Sequence, residues 1–327
     1  MRIRMKKAVI TGPTGAVGMG LINNLISNGI EVAAVVRPGS ERAKRIPQNE
    51  LVTKIECGLS EISKLPALLR GSGFDTGDAS HPMEGLVFYH MGWDGTFGSS
   101  RNDMRIQNQN VKYALDAVEA ARQCGCEIWI GTGSQAEYGR VEGKLSAAVP
   151  AFPENGYGIA KLCAGQMTRI ACEQAGMKHI WTRILSIYGP YDGDNTMVMS
   201  TLTALIDGKV PKCTKGEQQW DYLYSEDAGR ALMMLGERGV SGKTYCIGSG
   251  QTKPLREYIE IMRDEVNALS DIDFGAVPYA KGQVFYLCAD IDDLKRDTGF
   301  EPQTEFAEGI RKTVDYIKIS RADKPNG

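Results

Sequence analysis

The stretch from Lys7 to Asn28 constrains this chain more than any other. Lys7–Thr11 is a short apolar run, KAVIT. Gly12, Gly15 and Gly18 follow at three-residue spacing. Helical periodicity then runs from Val17 to Asn28, where Asn28-Gly29 stops it. Glycine permits a tight turn and lets backbone approach a bound group. The helix start adds free N–H groups and the positive end of its dipole. The turn Gly12, Thr14, Gly15, Ala16, Val17 and Gly18 is therefore read as a cradle for a dinucleotide pyrophosphate. Its spacing is G-x-x-G-x-x-G, so the reading depends on a strand before it and a helix after it.

The first half supplies that context by alternation. Apolar runs at Glu31–Val36, Leu51–Ile55, Leu86–Tyr89 and Glu127–Thr132 read as strands. Ile62–Leu69 reads as a short helix and Asp103–Gln123 as a long one, with Val111, Leu115, Val118 and Ala121 on one face. Such alternation predicts an α/β fold, a Rossmann-type doubly wound parallel sheet with helices on both faces. In the second half, helices are expected at Asn155–Gln174, Met197–Leu205, Ser225–Leu235, Leu255–Leu269 and Phe306–Ile319. Strands are expected at His179–Leu185 and Thr244–Ile247, and Gly189-Pro190 marks a sharp turn. The expected division is a cofactor domain over 1–185 and a smaller mixed α/β substrate domain over 186–327, with segments crossing between them.

Composition narrows the function classes. A formal net charge of −2 gives no basic field for nucleic acid. No apolar run approaches a membrane span, and Met1–Lys7 lacks a signal-peptide layout. Only His81, His90 and His179 are present, which weakens a metal site or a His-based triad. Eight scattered cysteines with no C-x-x-C pair read as reduced core residues in a reducing, cytoplasmic compartment.

The end of the second strand sets the cofactor flavour. A carboxylate there would bind a ribose 2′-hydroxyl. This chain reads Val36-Arg37-Pro38-Gly39-Ser40 instead. Arg37 and Ser40 suit a 2′-phosphate, so NADP is expected ahead of NAD; the bland alternative makes Arg37 a solvated loop cation. Ser134 follows a strand, and Tyr157 and Lys161 share one helix face four residues apart. A free tyrosine has a pKa of about 10, so acid/base work near neutrality needs positive charge close by. Lys161 is read as that charge, Tyr157 as the proton carrier, and Ser134 as the hydroxyl that holds a substrate oxygen.

These motifs resemble the extended short-chain dehydrogenase/reductases, in the NAD-dependent epimerase/dehydratase group that acts on nucleotide sugars. TGPTGAVG at 11–18, SQAEYG at 134–139, YGIAK at 157–161, RILSIYGP at 183–190, WDYLYSEDAGRA at 220–231 and YCIGSG at 245–250 carry the resemblance. It implies a Rossmann domain with a C-terminal substrate domain, a sugar-nucleotide substrate, a homodimer through a four-helix bundle, and a supporting role for Asn110. Departures sharpen it. Gln135 and Ala136 stand where the family's 4,6-dehydratases carry an Asp-Glu pair, and neither can move a proton at C5 or C6. Glu137 is expected to point away. Ser186 replaces an asparagine, and Trp220 an arginine that reaches the diphosphate. Trp220 is either a stacking platform or a core aromatic. Lys281, with Lys212 and Lys215, either supplies positive charge or lies on a solvated face. Trp93, in MGWDG, is expected to line the pocket, and His90 to be positional. The expected function is reduction of a 4-keto sugar nucleotide; alternatives are a 4-epimerase with retained NAD and a non-catalytic cofactor-binding protein.

Overall fold

A computed structural model describes residues 4–322. Six strands of the first half, β1 (Lys7–Thr11), β2 (Glu31–Val36), β3 (Val52–Glu56), β4 (Leu86–His90), β5 (Ile128–Ser134) and β6 (Lys178–Ile184), form one parallel sheet with the later strand Thr244–Ile247. The order is Thr244–Ile247, β6, β5, β4, β1, β2, β3. The order reverses between β1 and β4, and this opens a crevice at their carboxyl ends. Thr11 lies beside His90, and Ser134 beside Ile184, so the glycine turn, the loop after β4 and the end of β5 emerge on one edge.

Helices cover both faces. α1 (Ala16–Ser27) lies on one, with Leu21, Ile22, Leu25, Tyr89 and Ile130 in its core. α2 (Leu65–Gly71), α3 (Met104–Gln123) and α4 (Gly156–Gln174) cover the other, around Phe88, Val118, Trp129, Ala164 and Trp181. The two long helices start where their caps dictate. Asp103 accepts from the Arg105 and Ile106 N–H groups, and Asn155 from that of Gly158. The expected helix Ile62–Leu69 is instead a 3₁₀ segment, Leu59–Lys64, running into α2 with Pro66 in its first turn. Leu115, expected in the core face of α3, is only half-buried.

The second half divides its elements. The strand Thr244–Ile247 returns to the sheet edge, and α6 (Ser225–Arg238) packs on α1. The α1–α6 contact is close because both helices bring glycine to it. A Cβ on Gly229 would sit 2.2 Å from the Gly20 carbonyl carbon. The remaining lobe gathers α5 (Met197–Ile206), Leu255–Asn267 and Phe306–Ala322 around Leu202, Ile259, Met262, Ile310 and Val314. Its strands are short. β7 (Ser186–Tyr188) pairs with Tyr222–Tyr224, and Gln219–Trp220 lies between Lys253–Pro254 and Tyr286–Leu287. Fully buried Asp221 ties these pieces. It accepts from Ser249 N and Oγ (both 2.7 Å), Gly250 N (3.0 Å) and Ala289 N (2.9 Å).

Candidate active site

The glycine turn is shaped by close backbone. Gly12 has φ +67°, and a Cβ there would lie 2.6 Å from Gly92 N, so the turn seats against the loop after β4. Gly18 accommodates Pro13, whose carbonyl oxygen would lie 2.4 Å from a Cβ. Its close contact is thus within the turn itself. A Cβ on Gly15 would meet open space, and α1 begins there with no side-chain cap. The N–H groups of Ala16, Val17 and Gly18 are left for an external acceptor, so the turn fits a pyrophosphate.

The cations divide differently from expectation. Arg37 is exposed just beyond β2, and half-exposed Ser40 makes no side-chain cap. Half-buried Arg45 reaches the turn. Its Nη1 donates to the Thr14 carbonyl at 3.0 Å, and its guanidinium lies 5.4 Å from the Tyr191 ring centroid. Tyr191 holds φ 67°, a strained value for a bulky residue. Thr11 Oγ1 accepts from Met91 N and Gly92 N (both 3.2 Å), so its own hydrogen donates to His90 Nδ1 at 3.0 Å. Burial, with Lys161 nearby, pushes His90 down to about 3 and keeps it neutral, as a positional residue should be.

Ser134, Tyr157 and Lys161 converge from β5 and the first two turns of α4. Ser134 faces the Tyr157 phenol closely enough to favour its ionised form, and its hydroxyl accepts from Ala136 N at 3.2 Å. Lys161 Nζ donates to the Thr132 carbonyl at 2.6 Å and stands 3.8 Å from the Trp93 ring centroid. Burial pulls Lys161 down to about 7, while Glu137 pushes it up. Burial also raises Tyr157, against the Ser134 hydrogen bond and Arg101. The cation on the Tyr157 ring is Arg101, 4.4 Å from its centroid; Lys161 is 5.8 Å away.

Glu137 is fully buried and faces away from the cleft. Its carboxylate accepts from Arg183 Nε (2.8 Å), Trp181 Nε1 (3.1 Å) and Ser134 N (2.9 Å). The cause is a 3₁₀ turn over Gln135–Glu137, in which Ser134 and Glu137 form a reciprocal cap. The loop after β4 is fastened to α3. Buried Asn110 accepts from Asp94 N (2.9 Å) and donates to its carbonyl (2.8 Å). Gln107 accepts from Trp93 Nε1 and donates to the Gly95 and Ser100 carbonyls, all at 2.9 Å. Arg45, Arg101 and Gln107 are site residues that the sequence reading missed. Only Arg45 had a hint, as the third arginine after β2, following Arg37 and Arg42.

Residues 8–248 match the family model described as the NAD dependent epimerase/dehydratase family. The chain belongs to that family. A dTDP-glucose 4,6-dehydratase from Streptomyces niveus is 28% identical over 232 residues, 70% of this chain and 68% of that protein. Another from an Actinoplanes strain is 25% identical over 332 residues, 97% of this chain and 99% of that protein. Among solved structures, a UDP-glucose 4-epimerase of Thermotoga maritima with UDP-glucose superposes with a TM-score of 0.81. It is 19% identical and covers 96% of this chain and 99% of its own. DesIV, a dTDP-glucose 4,6-dehydratase of Streptomyces venezuelae with NAD and TYD bound, gives 0.81 at 21% identity, covering 97% and 98%. At such identities the structures carry the fold.

The two departures from the family pattern in the second half are partners. Trp220 Nε1 donates to Ser186 Oγ at 2.8 Å. Ser186 sits two residues beyond Ile184, the register partner of Ser134, so this pair lies one strand over from Ser134. Trp220 also packs against the Tyr138, Leu145, Leu287 and Ala289 cluster, so it serves the core while half-exposed. Gln135 is half-buried beside Ser134. Lys281, Lys212 and Lys215 are exposed, the solvated alternative for all three. Trp93 lies edge-to-face with Tyr157, with ring centroids 6.2 Å apart, and so stands beside both Tyr157 and Lys161.

Proposed function

We propose that this protein is an NADP(H)-dependent reductase of a 4-keto sugar nucleotide. The observation that carries the reading is a contrast within six residues. Ser134 faces Tyr157 with Lys161 beside them, while the buried carboxylate of Glu137 is held by Arg183, Trp181 and Ser134 N. Such a site suits proton transfer at one carbonyl oxygen and leaves no free acid/base pair for water elimination. The relatives named as dehydratases therefore share the scaffold in this reading and differ in chemistry.

The bound nicotinamide would supply the hydride. Gly12, Gly15 and the first N–H groups of α1 would hold the pyrophosphate, with Arg45 beside them. Arg37 and Ser40 would bind the 2′-phosphate, and Lys161 the nicotinamide ribose. Ser134 holds the C4 oxygen and Tyr157 gives it a proton. Trp93, Gln135, Ser186 and Trp220 bound the sugar. The outward stripe Ile159, Cys163, Met167 and Ile170 on α4 is exposed and apolar at helical spacing, which supports pairing with a second copy through α3 and α4.

The test begins with the purified protein, its mass in solution and the nucleotide released on denaturation. The reading expects a dimer mass and a site that takes NADPH more tightly than NADH. It also expects NADPH consumption with a dTDP- or UDP-linked 4-keto-6-deoxyhexose, abolished in Tyr157→Phe with cofactor binding kept. Stoichiometric retained NAD, with C4 epimers interconverted and no net cofactor use, would replace it with a 4-epimerase.

A further inference from the structure

The segment Gly98–Asn102 ends on the first turn of α4, and its placement is set by backbone. Asn102 Oδ1 accepts from Gly156 N at 2.9 Å, one residue before Tyr157. A Cβ on Gly156 would lie 3.1 Å from the Arg101 carbonyl oxygen and 2.5 Å from Met104 Cε. Gln107 holds the other end through the Ser100 carbonyl. Half-buried Arg101 is thereby laid over the Tyr157 ring at 4.4 Å. Its one hydrogen bond among the described residues runs from Nη1 to the Thr96 carbonyl at 2.9 Å.

We propose that Arg101 is a positioning residue for the acid/base tyrosine, supplying the fixed positive charge that favours the Tyr157 phenolate and orienting the ring toward Ser134. This rests on the reading of Tyr157 as the proton donor. Other groups face the phenol too. Ser134 faces it from β5 and favours its ionised form, and Trp93 lies edge-to-face with its ring from the loop after β4. Lys161 lies one turn along α4, and Glu137, paired with Arg183, opposes the phenolate. Lys161, pulled to about 7 by burial, has lost its charge in the alkaline range where a phenol ionises. A guanidinium keeps its charge there. A cation over the ring attracts the neutral phenol through its quadrupole and the phenolate through a full charge, so the phenolate gains more. The charge also stays when the nicotinamide changes oxidation state or departs, so the tyrosine remains tuned across cofactor exchange.

The experiment reads Tyr157 ionisation itself. Protein labelled with ¹³Cζ-tyrosine is titrated upward from pH 7, and Tyr157→Phe identifies the resonance. Arg101→Met is expected to move the onset of Tyr157 titration upward by about 1–2 pH units. Arg101→Lys should restore most of it, with the other tyrosines unmoved. An unchanged onset in Arg101→Met overturns the proposal. If Arg101→Met fails to fold, Arg101→Gln carries the same comparison. No sugar substrate enters this titration, so failure of the reductase reading and failure of the Arg101 role appear in separate experiments.

Discussion

β1 is bonded along all five residues to neighbours on both sides, whereas Gln219–Trp220 meets each of its neighbours over only two. The sheet half is thus held by long parallel ladders and apolar faces. The lobe of short strands is held at points, above all by Asp221, whose carboxylate gathers four donors from two loops. A ladder spreads its stabilisation over many weak contacts. A buried polar knot concentrates it, because each donor left without an acceptor costs about 1–3 kcal/mol. The cofactor turn lies on the first kind of framework, and the Ser186–Trp220 wall on the second.

Asp221→Ala is the strongest way to break this contrast. It should destabilise the lobe by about 4 kcal/mol or more, with Ser249, Gly250 and Ala289 losing amide exchange protection while β1, β4 and β5 keep theirs. Uniform loss across both halves would mean that the two are one cooperative unit. Lys161→Met tests the seam. The folded Lys161 has a value near 7 against 10.5 in the open chain, so between these values the unfolded state binds a proton that the folded state does not. Stability of the cofactor-free protein therefore rises with pH through that window, and the cost is fully present below pH 7. The methionine variant should be more stable at pH 7 by about 2–4 kcal/mol, with the gain shrinking toward pH 10.5. Equal melting temperatures at pH 7 would show that Trp93 and Thr132 already offset the burial. Gly12→Ala has the smallest global effect, about 1–3 kcal/mol from the positive φ and the Gly92 contact, and it should abolish nucleotide binding with lobe protection unchanged.

The same contrast explains what the sequence disclosed. Lys7–Thr11, Glu31–Val36 and Thr244–Ile247 are read residue for residue because a buried parallel strand is an apolar run between turn signals. Gln219–Trp220 and Tyr286–Leu287 have no period to read, since two residues are too few. Ser134, Tyr157 and Lys161 come together as their order along the chain suggested, and Glu137 is taken into a 3₁₀ turn beside Ser134. Arg101 carried no signal. It lies in GTFGSSRND, and only the hydrogen bonds of Gln107 and Asn102 bring that loop onto the tyrosine. Arg37 drew the reading because it directly follows β2, and the 3₁₀ segment Glu41–Arg45 also brings Arg45 onto the glycine turn at the Thr14 carbonyl.

The contact of Gly20 with Gly229 fixes where this chain tolerates recombination. A chimaera that exchanges everything after residue 185 would bring a foreign helix against α1, and any side chain at 229 would strike backbone within 2.2 Å. The helix that opens the cofactor cradle would then be displaced by a residue more than two hundred positions downstream. A transplant of substrate preference onto this scaffold has to leave Ser225–Arg238 and Thr244–Ile247 with the recipient, and exchange the intervening lobe as separate inserts.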